Sequence, residues 1–192
     1  MRAVIALTRW AIPALLGLLL LLAAPQAAFT QTQAAPDPQL DALFTQLRHA
    51  SDAKTARDID RRIQVIWLTP KDPELAERMS QALTARRHMN LPMALGVLSG
   101  IVRDYPTYAE GWNQRATVYY LLRDYEDSLA DIEKTLQYEP RHFGALSGRA
   151  LIYLAQDKRG LAIRDISAAL AVHPFLSEKA LFPELLDDIT HI

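Results

Sequence analysis

The side chains best able to carry chemistry in this sequence are its histidines. They are His49, His88, His142, His173 and His191. No two of them are four residues apart, and no acidic residue stands beside two of them, so the spacing gives no helical metal site. The absence of cysteine also excludes a thiolate metal site and a disulfide scaffold. No cofactor or metal is therefore predicted.

Other charged groups point to solvated surface rather than catalysis. The close acidic pairs, Asp58 with Asp60 and Asp124 with Asp127, are predicted to lie at turns or on polar faces. The sequence has neither a Gly-rich phosphate loop nor a Gly-x-Ser-x-Gly motif. With 21 basic residues against 22 acidic ones, it also lacks the excess of positive charge that nucleic-acid binding requires. We predict a protein that is not an enzyme and binds no nucleic acid.

One charged pattern recurs at a fixed separation. The step along the chain from Arg115 to Asp131 is the same as the step from Arg149 to Asp165. Arg115 and Arg149 are separated by a fixed interval. Residues Gln81 and Val97 lie the same interval before Arg115 and Asp131, so each pair of equivalent positions holds either two charged residues or none. An arginine fork on a carboxylate satisfies both groups. We predict two structural ion pairs, each linking two neighbouring helices.

The elements that position these residues begin after a distinct N-terminal segment. Arg2 and Arg9 precede an apolar run from Trp10 to Ala24, which small residues follow, as in a secretory signal. This run is shorter than a membrane-spanning helix, which needs about 20 residues. We predict a signal peptide over residues 1–28, with the cleavage position at Ala28 or Ala34, and a flexible linker over residues 29–38. The alternative is an uncleaved anchor in the inner membrane.

The remainder of the sequence repeats with a period of about 34 residues. Pro106, Pro140 and Pro174 are equally spaced by one such period, which divides residues 75–176 into units 75–108, 109–142 and 143–176. Small and large apolar residues recur within the units at spacings of three and four, as on one face of a helix. Each unit is predicted to be a helix, a short turn and an antiparallel helix that ends near the proline.

At these residues the sequence resembles the tetratricopeptide repeat (TPR) family, whose signature has the same period. The second unit matches at Trp112, Ala116, Tyr119, Ile132 and Pro140. The third unit matches at Ala150, Tyr153, Ala162, Ala169 and Pro174. The first unit matches through its period and through Ala82, Ala94 and Pro106. The resemblance implies an all-α, antiparallel helix-pair solenoid that binds a protein or peptide partner.

Two flanking elements are predicted around the three repeats. Apolar stripes within residues 39–74 indicate a degenerate helix pair, which is spaced in the sequence like a degenerate unit in front of the array. At the other end, Leu181, Leu185 and Ile189 have helical spacing, so residues 177–192 are predicted to form a capping helix.

By the same resemblance, the first helix of each unit lines a concave face. The predicted lining residues are Met79, Leu83, Arg86 and Arg87 in the first unit, Asn113, Thr117, Tyr120 and Leu121 in the second, and Ser147, Leu151 and Leu154 in the third. They form a largely apolar floor with a basic end, suited to an extended or helical peptide with apolar anchors and some acidic character.

The predicted function is therefore a non-enzymatic binding module of the bacterial cell envelope. Arg outnumbers Lys 16 to 5, a bias typical of GC-rich bacterial genomes, and the secretory segment then indicates the periplasm. The alternative is a structural or assembly protein that an uncleaved N-terminal helix tethers to the inner membrane. Contact with the membrane is expected only through that N-terminal segment, if the segment is not cleaved.

Overall fold

The computed structural model describes residues 37–185. The predicted signal peptide and most of the linker lie outside the described residues, as does the end of the predicted capping helix. The described part is all-helical and contains eight α-helices. Their bounds are α1 Pro38–Arg48, α2 Ala53–Leu68, α3 Pro73–Arg87, α4 Leu91–Asp104, α5 Ala109–Leu122, α6 Tyr125–Tyr138, α7 Phe143–Ala155 and α8 Arg159–Val172. None of the helices within residues 37–185 is both long and apolar enough to cross a bilayer.

The starts of several helices follow from capping side chains. The carboxylate of Asp52 accepts hydrogen bonds from the backbone N–H groups of Lys54 and Thr55, at 2.8 and 2.9 Å. Asp72 accepts from Leu75 N at 2.9 Å in the same way, directly before Pro73. These bonds satisfy backbone donors that have no partner inside the helix.

Each repeat unit turns at an equivalent residue. Met89, Arg123 and Asp157 are separated by one repeat period each, and all three adopt the left-handed conformation, with φ between 57° and 62°. This conformation ends the first helix and lets the second helix of the unit fold back on it. The helix pairs α3/α4, α5/α6 and α7/α8 pack in this way and stack as a TPR-like solenoid, as the sequence predicts.

The N-terminal pair α1/α2 comes before the array in the sequence but packs against the last unit. Its apolar stripes share a core with α7, α8 and Phe182 at the far end. The reason is chemical, because exposed residues of α3 such as Glu77, Gln81 and Thr84 give the first unit a polar outer face. The last unit instead presents Phe143 and other apolar groups that require cover.

The C-terminal segment also differs from the predicted α-helix. Two short 3-10 helices, Ser177–Leu181 and Pro183–Leu185, occupy its described part. Between them Phe182 is fully buried against the last unit, and Arg159 donates to Glu184 at 2.6 Å. Pro183 has no N–H to continue a helix begun at Ser177. This segment and α1/α2 together cover the end of the array.

Two glycines in the repeat helices differ in the space around them. A Cβ on Gly96, in α4, would meet no atom within 4 Å, whereas one on Gly111, in α5, would lie 2.9 Å from Ile101 Cγ2 and 3.2 Å from Tyr108 Cδ1. Gly96→Ala is expected to stabilise the protein by about 0.5–1 kcal/mol, because alanine loses less backbone entropy in a helix. Gly111→Ala is expected to destabilise it by about 1–3 kcal/mol through overpacking. Urea denaturation of both variants tests this, and equal effects would contradict it.

Candidate functional site

The inner face of the second and third units contains an open cavity of about 320 Å³. Its walls come from α5, α6 and α7, with Glu178 of the C-terminal segment at the rim. The apolar floor consists of Ala116, Ile132, Ala145, Leu151 and Ile152. Such a concave, mostly apolar surface with a few polar groups is typical of binding sites.

The cavity exists because α7 carries glycine on the facing side. Gly144 and Gly148 both line it, and a Cβ on Gly148 would meet only Ile132 Cδ1, at 4.0 Å. One unit earlier, the equivalent positions hold the larger residues Glu110 and Gln114, both buried. Because Gly144 and Gly148 have no side chains, α7 leaves space at two positions whose equivalents on α5 are filled by Glu110 and Gln114.

The structure brings five of the eleven predicted groove residues to this cavity. They are Asn113, Thr117, Tyr120, Ser147 and Leu151. All five come from the second and third units, in which the first helices α5 and α7 lie side by side.

The other six predicted residues lie elsewhere. Met79 is fully buried in the core of the first unit, and Leu83 packs against the same core. Leu154 packs against the core that the N-terminal pair completes. Leu121 is exposed near the end of α5, outside the cavity.

The two arginines of the predicted basic end are also absent from the cavity lining. Arg86 is half-buried and lies near the Glu110 carboxylate, which raises its pKa, although burial lowers that pKa overall. Arg87 is exposed and donates to Thr84 Oγ1 at 3.0 Å on its own helix. The cavity therefore has no basic end, and its charged rim residue is the acidic Glu178.

The predicted arginine–aspartate pairs come together as the spacing requires. Arg115 Nε and Nη2 each donate to Asp131 at 2.7 Å, and Arg149 Nη2 donates to Asp165 at 3.2 Å. The Arg115 guanidinium also lies 5.0 Å from the centre of the Trp112 ring. These bonds join the two helices of a unit and keep α5 and α7 in place beside the cavity.

Glu178 is the charged member of the eight lining residues that were not among the predicted groove residues. It stands one repeat period after Gly144, so the period itself places it beside the start of α7. Because residues 177–192 were expected to form a capping helix, Glu178 was not predicted to lie at the cavity.

A buried histidine–glutamate pair lies behind the cavity wall. His142 Nε2 is 2.7 Å from Glu110 Oε2, and both side chains are at most 2% exposed. His142 Nδ1 accepts from Ala145 N at 3.1 Å, so both ring nitrogens are engaged, and the ring stacks on Trp67 at 4.0 Å. The pair holds α5, α7 and α2 together and offers no free base.

No group within residues 37–185 supplies a nucleophile or a metal site to that pair. The described residues contain no cluster of three potential ligands among His, Asp and Glu. The sequence includes one Ser-x-x-Lys, at Ser51 to Lys54, but Lys54 pairs with Asp58 and Ser51 Oγ donates to Asp52. Both side chains are exposed at the start of α2 or just before it, and neither lines the cavity between α5, α6 and α7.

Another buried histidine, His173, is expected to make folding stability depend on pH. His173 is 3% exposed, and burial lowers its pKa, although Asp60 and Glu178 oppose the shift. The unfolded chain therefore binds a proton at a higher pH than the folded chain does, so stability is lost as pH falls below about 6.5. We expect His173→Asn to reduce this loss, because asparagine can still accept the bond from Phe175 N that His173 Nδ1 accepts. Thermal unfolding over a pH series measures it, and an unchanged slope would count against the assignment.

A stack of helix hairpins that repeats at a constant period and is open on one face defines a superhelical repeat protein. The tetratricopeptide repeat family matches residues 109–142, the unit that carries Trp112 and Pro140. A TPR repeat-containing protein of Rhizobium etli is 35% identical over 139 residues, which are 72% of this chain and 68% of that relative. The chain belongs to the tetratricopeptide repeat family. Proteins of this family generally mediate protein–protein interactions and are typically not enzymes.

Proposed function

We propose that this protein is a non-enzymatic binding module that holds an extended segment of a partner protein in the cavity between α5, α6 and α7. The observation that carries the proposal is the glycine-lined opening over an apolar floor, at residues Gly144 and Gly148. Apolar side chains of the partner would be removed from water there, which contributes about 25 cal/mol per Å². The backbone of the partner can bond the polar groups at the rim, of which Asn113 is one.

We further propose that the protein acts in the bacterial cell envelope. The support is the layout of its N-terminal sequence, in which two arginines precede the apolar run from Trp10 to Ala24. The mass of the chain isolated from cells tests this proposal. A chain that begins after Ala28 or Ala34 indicates release into the periplasm, whereas an intact chain in the membrane fraction indicates a tethered protein.

Site-specific photo-crosslinking in living cells tests the binding function. A photoreactive phenylalanine in place of Tyr120, which lines the cavity, is expected to capture a partner that mass spectrometry then identifies. The same residue in place of Glu133, exposed on α6 and outside the cavity, is the control and is expected to capture none.

Two substitutions of one glycine separate loss of the cavity from loss of the fold. Gly148→Leu places a side chain in the cavity and is expected to abolish capture at position 120. Gly148→Ala adds a Cβ that meets no close atom, so it is expected to preserve capture and raise the melting temperature. Equal capture with and without Gly148→Leu, in chains that both carry the photoreactive residue at position 120, would reject the cavity as the binding site.

A further inference from the structure

The polar side chains that line the cavity have already used most of their hydrogen-bond donors. Thr117 Oγ1 donates to Asn113 O at 2.9 Å, and Ser147 Oγ donates to Gly144 O at 3.2 Å. Asn113 Nδ2 donates to both carboxylate oxygens of Glu110, at 3.3 Å each. Ser128 Oγ donates to Ala116 O at 2.8 Å. Only the Tyr120 hydroxyl, among the lining side chains, has no such bond within residues 37–185.

The acceptors on the same side chains remain available. A threonine or serine oxygen that donates once still has lone pairs, and so does an amide oxygen. Asn113 Oδ1 makes no hydrogen bond with any described residue, and Glu178 accepts only from Ser177 Oγ, at 3.1 Å. The cavity therefore suits an occupant that brings hydrogen-bond donors.

The charge around the cavity favours a cation. Within the described residues, no Lys, Arg or His lies within 4.0 Å of the Glu178 carboxylate. His173 lies near Glu178, but burial lowers its pKa and so disfavours its charged form. Behind the wall, the buried Glu110 carboxylate is already hydrogen-bonded to Asn113 and Gln114 and paired with His142. Glu178 therefore remains as the uncompensated charge at the rim.

The shape of the cavity suits a long side chain with an apolar stem. Asn113 and Tyr120 are seven residues apart on α5, or about 10 Å at the helical rise of about 1.5 Å per residue. Between them lies the apolar floor, on which the aliphatic part of a long side chain can rest. A lysine or arginine combines such a stem with donors only.

We propose that the cavity recognises a lysine or arginine side chain of the partner segment, with the stem on the floor and the cation at Glu178 and Asn113 Oδ1. This inference rests on the proposed function and specifies its partner. It replaces the expectation of an acidic partner, which depended on Arg86 and Arg87 lying in the groove.

A positional peptide library tests the charge of the occupant. The full chain, purified from its cells, is applied to arrayed peptides with blocked termini in which each position in turn holds arginine, lysine, citrulline, norleucine or glutamate. The wild type is expected to bind about tenfold more strongly when one position is arginine or lysine rather than citrulline or norleucine, because charge-assisted hydrogen bonds are the stronger ones.

Two carboxylate variants locate the recognition. Glu178→Gln is expected to remove the preference for the basic residue, and Glu133→Gln, a matched change at an exposed position outside the cavity, is expected to retain it. Binding without a basic preference, or a preference that survives in Glu178→Gln, overturns the inference and leaves the proposed function intact. If no peptide binds the wild type and the photoreactive residue at position 120 captures no partner, both the proposed function and this inference are rejected.

Discussion

Arg115→Ala is expected to lower the free energy of unfolding by about 3–5 kcal/mol, because it leaves a buried carboxylate without its cation. The Asp131 side chain is 5% exposed, and Arg115 contacts both of its oxygens. Water cannot replace the guanidinium at that depth without opening the contact between α5 and α6. Urea denaturation followed by circular dichroism measures the loss.

The same loss should depend on pH. Burial raises the pKa of Asp131 even with Arg115 beside it, so the carboxyl of the variant is still easier to protonate. A protonated carboxyl no longer carries an uncompensated charge. The difference in stability between Arg115→Ala and the wild type should therefore shrink as pH falls, and a difference that is constant with pH would contradict the explanation.

The chain provides its own control for this pair. The first unit holds Gln81 and Val97 at the two equivalent positions and folds without the ion pair. The double variant Arg115→Gln with Asp131→Val is expected to recover most of the stability that Arg115→Ala loses, because no buried charge remains. If the double variant is as unstable as Arg115→Ala, the loss comes instead from the contact of the arginine guanidinium with the Trp112 ring.

The sequence predicts contacts inside a unit better than contacts between distant segments. A constant repeat period with a proline marker specifies both helices, their turn and the approach of Arg115 to Asp131, since all of these are local. The left-handed turn at Met89, Arg123 and Asp157 carries no glycine signal, yet it recurs because the two helices require it.

The position of α1/α2 could not be obtained from local pattern, because an apolar stripe indicates burial but not its partner. The apolar stripes of α1/α2 could have packed against either end of the repeat array. The polar character of α3, visible at Glu77 and Gln81, was the one signal that the first unit needs no cover. The room for the cavity could not be obtained from local pattern either, because a glycine inside a helix, such as Gly144 or Gly148 in α7, can equally allow a neighbouring helix to pack closely.

The docking of α1/α2 leads to a second large expected effect, at Trp67. This residue is 6% exposed, and its ring contacts three others, those of Phe44 at 5.9 Å, His142 at 4.0 Å and Phe143 at 5.5 Å between centres. Trp67→Ala is expected to cost about 3–5 kcal/mol, as large-to-small changes of buried aromatic residues do. Trp67→Phe keeps a ring on His142 and is expected to cost less.

Where that stability is lost distinguishes a cooperative domain from a repeat array. The core that contains Trp67 shares none of its fully buried residues with the core of α3 and α4, to which Leu98 belongs. In an array, neighbouring units contribute separately to stability and can open locally. Trp67→Ala should therefore speed amide hydrogen exchange in α1, α2 and α8 more than in α3 and α4, and Leu98→Ala should show the reverse. A uniform increase in both variants would contradict this and would mean that α1/α2 joins the two cores into one folding unit.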